Sequence, residues 1–183
     1  WAEGRSAKES AKTWLSIKSP QLPAEIQELL SSSPAFSGLL HWEAEPEARV
    51  PFDGLSGEPA NIDLLIRAQD SNGPFTMVVE AKADEPFSDE LRDTLAAALE
   101  RKVKNPRSQG ITRVEQLARA LFRPKTRGLP SLGLLRYQLL TAAAAGLTLA
   151  EREGNRRCAF LVHEFKTDRT VDANHERNAE DLE

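Results

Sequence analysis

Apolar residues recur along this chain with two different periods, and the switches between them mark out its elements. Ala7, Ala11, Trp14 and Leu15 fall at helical spacing within residues 2–18, and Ser19-Pro20 ends that run. A second short helix is predicted from Pro23 to Leu30, opened by a proline in its first turn and broken by Ser31-Ser32-Ser33-Pro34. A strand is predicted over Leu39 to Glu45. Asn61–Arg67 and Phe75–Lys82 are rich in Ile, Leu and Val, and the intervening turn contains Asn72-Gly73, so the pair reads as a β-hairpin. Ser88 reads as the N-cap of a helix running to Val103, with a further helix over Thr112 to Phe122 that Pro124 stops. Leu132 to Leu149 is apolar on nearly every side and predicts a buried helix with Arg136, Tyr137 and Gln138 inside it. A last strand, Cys158 to Phe165, precedes a polar tail from Lys166, read as a surface helix or partly disordered. Helix, strand, hairpin, helices and strand in that order predict an α/β fold around a small mixed sheet, and not a regular βαβ repeat.

The hairpin has one almost purely apolar face, made by Ile62, Leu64, Ile66, Phe75, Met77, Val79 and Ala81. The other face carries Asp63, Leu65 and Arg67 together with Thr76, Val78, Glu80 and Lys82. If Ser71-Asn72 are central in the turn, Asp63 lies opposite Glu80; if Asn72-Gly73 are central, it lies opposite Lys82. Either loop is even and keeps all three on one face, whereas an odd loop or a bulge separates them.

Composition and charge narrow the setting. The 183 residues suit a single domain with a real core, and the one cysteine, Cys158, excludes an internal disulfide framework and a cysteine-rich zinc site. A reducing, cytoplasmic compartment is the expectation. The most apolar run is interrupted by Arg136 to Gln138, which speaks against a membrane span. No signal-peptide pattern opens the chain, and a first residue other than Met reads as a trimmed terminus. The net charge of −4 is unevenly spread. Arg101, Lys102, Lys104, Arg107, Arg113, Arg119, Arg123, Lys125 and Arg127 face a single acid, Glu115, across residues 101–127, which leaves a strongly acidic remainder. Such a block suits a polyanion, and a solvated helical face is the plain alternative.

Two carboxylates on neighbouring strands repel unless something positive sits between them. Lys82 supplies part of that charge, and a hard divalent cation with oxygen ligands supplies it better. Asp63 and Glu80 are therefore candidate ligands for Mg²⁺, with Mn²⁺ as a substitute, and Lys82 is placed to assist attack by water on a phosphorus atom. Gln138 is a candidate partner of a phosphate or of a bound water, and Tyr137 or Arg136 of a nucleic-acid backbone, with core packing of Tyr137 and a snorkelling Arg136 as the plain alternative. The competing reading is a charged outer strand face whose pairs are worth about 0.2–1 kcal/mol each. Leu65 and Val78 on the same face argue that it is covered, which weakens that alternative.

These residues resemble the PD-(D/E)XK nuclease superfamily, in which an Asp on one strand precedes Glu-x-Lys on the next. The match is Asn61-Ile62-Asp63, then Val78-Val79-Glu80-Ala81-Lys82. The Leu134–Leu140 segment and the Cys158–Phe165 strand fit the rest of an α-β-β-β-α-β, restriction-endonuclease-like core over residues 2 to 165, in a bacterial branch of those proteins. Two departures stand out. Ile62 occupies the place of the proline for which the motif is named, and Gln138 comes directly after Tyr137, unlike the wider Gln-to-Tyr spacing of RecB-like nucleases. The resemblance implies Mg²⁺-dependent phosphodiester hydrolysis, with Asp63, Glu80 and the Ala81 carbonyl as ligands and Lys82 and Gln138 assisting. It also implies an acid on the first helix, for which Glu9 is the candidate. The expected partner is nucleic acid, DNA in the first place, held by Arg101, Lys102, Lys104, Arg107, Arg113 and Arg136, by a monomer or a homodimer and without a membrane. The alternatives are a binding module of the same fold without turnover, and an assembly subunit in which Trp42 and Tyr137 serve packing.

Overall fold

The computed structural model describes residues 4–122 and 132–182. Four strands form one mixed sheet in the order β1 (His41–Val50), β2 (Ala60–Asp70), β3 (Gly73–Lys82) and β4 (Cys158–Glu164). The first three are antiparallel neighbours, and β4 lies parallel to β3, reached by the long crossover that a parallel pair needs. Helices α1 (Ser6–Leu15) and α2 (Ala24–Ser31) precede the sheet, and α3 (Leu91–Lys104), α4 (Gly110–Leu121) and α5 (Tyr137–Arg152) fill the crossover. The polar tail ends in a helix, α6 (Asp172–Glu180), whose Asn178 is fully buried.

The sheet is covered on both sides. Trp14 of α1 and Ile26 and Leu30 of α2 pack on Leu64, Ile66, Phe75, Met77 and Val79, the apolar hairpin face expected from the alternation. Leu65 and Val78 on the opposite face pack with Ala142 and Ala145 of α5. The approach of α5 is close enough that a Cβ on Gly146 would lie 2.9 Å from both Val78 Cγ2 and Cys158 Sγ. None of the described helices is long and apolar enough to cross a membrane.

Asp70 pairs with Gly73, so Ser71-Asn72 are the central turn residues. Gly73 ends the turn at φ +108°, a conformation that a side chain resists. Three expectations need correction. The strand predicted to stop at Glu45 runs on to Val50, because an edge strand tolerates Pro46, whose missing N–H breaks no inner ladder. The helix predicted from Leu132 begins instead at Tyr137, after a short turn at Leu132–Leu134 and an extended Arg136. Its polar residues thus stand at the helix start, where unpaired backbone groups need partners, and not in its middle. Ser88 does not cap α3, whose N-cap position is Glu90.

Candidate active site

Asp63 lies where the hairpin opens. The β2–β3 ladder ends at Leu64 opposite Val79, so Asp63 would face Glu80 one step further on. Pairing stops there because Asp63 turns its carboxylate into the gap and accepts the Ala81 N–H at Oδ2, 2.8 Å away. The side chain replaces a ladder bond that β2 no longer supplies. In a strand the N–H and C=O of one residue point to the same edge, so the Ala81 carbonyl also faces this gap. The break reaches across the sheet. Glu47 of β1, which the register places opposite Asp63, takes φ +52°, and Ile62 packs on the α5 side while Leu64 packs on the α1 side. The strict alternation expected for Ile62, Leu64 and Ile66 fails at this point because the strand twists around Asp63.

Glu80 and Lys82 project together toward the start of α5. Glu80 is only 1% exposed. Lys82 Nζ donates to Glu80 Oε1 at 2.7 Å and to Gln138 Oε1 at 3.2 Å, and Gln138 Nε2 donates to the same Glu80 oxygen. Gln138 is held in turn by Ser88, whose hydroxyl accepts the Gln138 N–H at 2.9 Å and whose own N–H donates to Gln138 Oε1 at 3.3 Å. Lys82 Nζ also stands 5.3 Å from the centre of the Phe87 ring. Burial, and then the neighbouring Asp63 charge, push the Glu80 carboxyl up to about 7. Burial likewise raises Asp63, with the Ala81 N–H and Lys82 opposing. Glu80 Oε2 is buried with no hydrogen-bond partner.

The other expected site residues are dispersed. Glu9 accepts from Lys12 Nζ at 2.9 Å and from the Gly4 N–H at 3.2 Å, and it lines a small pocket with Thr167 and Asp168. These contacts place Glu9 beside the segment that follows β4. Arg113 binds Asp53 at 2.7 Å and the Glu58 carbonyl at 2.7 Å and stacks over Phe52. Arg136 pairs with Asp181 at 2.8 Å. Both arginines are largely buried, where an ion must be paired, so they tie elements together and do not offer a free charge to a phosphate. Arg101, Lys102, Lys104 and Arg107 are exposed at the end of α3 and in the turn after it. Arg123, Lys125 and Arg127 lie outside the described residues.

A family model described as Domain of unknown function (DUF6946) matches residues 1–183. The chain belongs to this family. No curated protein and no solved structure matches the DUF6946 chain.

Two members of the site in this DUF6946 chain carry no local sequence signal for their role. Ser88 has the pattern of a helix start, and it does cap a helix, but that helix is α5, 50 residues further along. Glu47 is a third carboxylate whose charge reaches Asp63, and it lies beyond the point where Pro46 makes the strand seem to end.

Proposed function

We propose that this chain is a metal-dependent nuclease, with Asp63 and Glu80 holding a divalent cation, Mg²⁺ or Mn²⁺, and Lys82 assisting hydrolysis of a phosphodiester. The observation that carries this reading is the convergence of a half-buried acid, a buried acid and an ammonium group at the fork of β2 and β3, with Glu80 Oε2 left without a donor. The donor set fits a hard cation. Among the described residues no three His, Cys, Asp or Glu side chains gather as a metal cluster, but Mg²⁺ commonly takes one or two carboxylates and fills its other positions with water and phosphate oxygens. The Ala81 carbonyl adds a third oxygen. Further support comes from the chain order, since α1, β1, β2, β3, α5 and β4 succeed one another as the restriction-endonuclease-like α-β-β-β-α-β core requires.

When bound, the cation supplies Lewis-acid charge to the phosphodiester and to the water that attacks it. The protein groups do the rest. Asp63 and Glu80 fix the charge that orients a phosphate at the fork. Lys82 presents its ammonium to the oxygens on which negative charge grows. Gln138 holds Lys82 and Glu80 in register and is itself fixed by Ser88. Burial keeps the local dielectric low, which strengthens each of these interactions.

Incubation of the chain with plasmid and with single-stranded DNA, in Mg²⁺, in Mn²⁺ and in EDTA, tests the proposal. Metal-dependent cleavage abolished by Asp63→Asn and by Lys82→Ala supports it; absence of cleavage, or cleavage retained in both variants, refutes it. A binding module without turnover is the second reading. The near-complete enclosure of Glu80 and Lys82 favours it, and nucleic-acid binding without cleavage in the same assays is its signature.

A further inference from the structure

Three exposed cations of α3 and of the α3–α4 turn line one cleft. Arg101, Lys104 and Arg107 stand along a cleft of about 730 Å³, and none of the three has an ion-pair partner among the described residues. Residues 55–58 of the β1–β2 connection form the facing wall. Glu58 is the one acid on that lining, and it is bound to Arg49. Tyr137, half-buried, also lines the cleft and is the residue before Gln138, which contacts Glu80 and Lys82.

We propose that the cleft binds an unpaired nucleic-acid strand, with phosphates on Arg101, Lys104 and Arg107 and a base against Tyr137. The proposal deepens the nuclease reading by naming the form of its substrate, and it rests on that reading for the hydrolysis of the bound strand. Positive charge that tracks a backbone, combined with an aromatic ring for stacking, is how single strands are held without sequence preference. The shape agrees with the charge. A cleft of this volume, in the range of small-ligand sites at about 300–1,000 Å³, takes a nucleotide-sized stretch of strand. The burial of Glu80 and Lys82 also favours an unpaired strand, because a phosphate reaches them only on a strand free to leave its partner.

Fluorescence anisotropy of the full chain in EDTA, with a fluorescein-labelled mixed-sequence DNA strand and the duplex of the same sequence, tests this. The strand is expected to bind about tenfold more tightly than the duplex or better. Combined Arg101→Gln, Lys104→Gln and Arg107→Gln should weaken strand binding by at least about tenfold and make its logarithmic salt slope shallower by about 2. Tyr137→Phe should keep the affinity and Tyr137→Leu should lose about tenfold, a contrast that charge alone does not produce. Equal affinity for strand and duplex, or binding unchanged in the triple variant, overturns the proposal. Metal-dependent cleavage by wild-type chain together with unchanged binding in the triple variant removes the cleft and leaves the nuclease. Strand binding that requires the cleft, without cleavage in any metal, establishes the cleft and removes the nuclease.

Discussion

Glu80 meets three demands at once, and they pull in different directions. Oε1 accepts from Lys82 and Gln138, which favours the charged form, while burial and the Asp63 carboxylate oppose it and win, so the group reaches about 7. The consequence for stability has a definite sign. Between the ordinary value of 4.5 and about 7 the folded chain keeps a proton that the unfolded chain has released. The stabilisation from that proton is complete below 4.5 and is lost as pH rises through about 7. Thermal melts of the metal-free chain should therefore show a midpoint that falls across this window, and Glu80→Gln, which cannot titrate, should flatten the fall. The same substitution removes a proposed cation ligand. Mg²⁺-dependent cleavage should drop by about 100-fold or more, and the rise in melting temperature on adding Mg²⁺ at about pH 8, above the Glu80 value of about 7, should vanish. A Glu80→Gln protein that melts with an unchanged pH profile would show that Glu80 does not carry this titration.

Helix α5 joins the site to the core, and its start and its middle rely on different small residues. At its start, Ser88 accepts the Gln138 N–H, one of the four amides that a helix leaves unpaired. Ser88→Ala should cost about 1 kcal/mol in denaturant unfolding, and with Gln138 less well held it should also reduce cleavage. Normal activity in a measurably destabilised Ser88→Ala protein would separate the cap from the chemistry. Further along, Gly146 lets α5 sit close to β3 and β4. Gly146→Val should force that interface apart at a cost of about 1–3 kcal/mol by overpacking, readable as a lower urea midpoint with an unchanged slope. The same elements show what a sequence makes legible. The hairpin, with its even loop and its apolar face, is readable from period-two alternation and from Asn-Gly. Asp63, Glu80 and Lys82 are readable because they lie on that hairpin. The unreadable parts depend on distant partners. Ser88 looks like a local cap, and nothing near it in sequence identifies a helix 50 residues away as the one that it serves. Arg113 and Arg136 look like free charge because their acids, Asp53 and Asp181, lie 60 and 45 positions away along the chain. Glu47 is hidden behind Pro46, which reads as a strand breaker unless the strand is known to be an edge.

At the scale of the whole molecule, a few polar ties, most of them buried, hold the ends of the sheet in place. At the end where the site lies, Arg5 binds Asp84, the buried Asn178 of α6 donates to the Glu85 carbonyl, and the Tyr137 and Gln138 N–H groups donate to the Asp89 carbonyl and the Ser88 hydroxyl, so the start of α1, α6 and the start of α5 all grip the segment that leaves β3, while Arg136 binds Asp181 and joins α5 to α6. At the opposite end, Arg157 donates to both oxygens of Asp70 at 2.7 and 2.8 Å and to the carbonyls of Ala35 and Gly73. It thus ties the β2–β3 turn to the entry of β4 and to the segment after α2. Asp70 is 3% exposed, and the Arg157 guanidinium holds its carboxyl well down, at about 2. Here the pH dependence has the sign opposite to that of Glu80. The stabilisation is complete above the ordinary value of 3.8 and is lost as pH falls through about 2. A shift of this size corresponds to about 2 kcal/mol. Acid titration of the folded chain should therefore show a steep loss of stability between about pH 4 and pH 2. Asp70→Asn should lower stability at about pH 7 and make that acid limb shallower, because the amide leaves a buried guanidinium without its counter-charge. The tie lies at the far end of the sheet from Glu80, so any cleavage should keep its metal dependence and its pH profile at a temperature where the variant stays folded. An Asp70→Asn chain with wild-type acid stability would show that the two ends of the sheet do not depend on this pair.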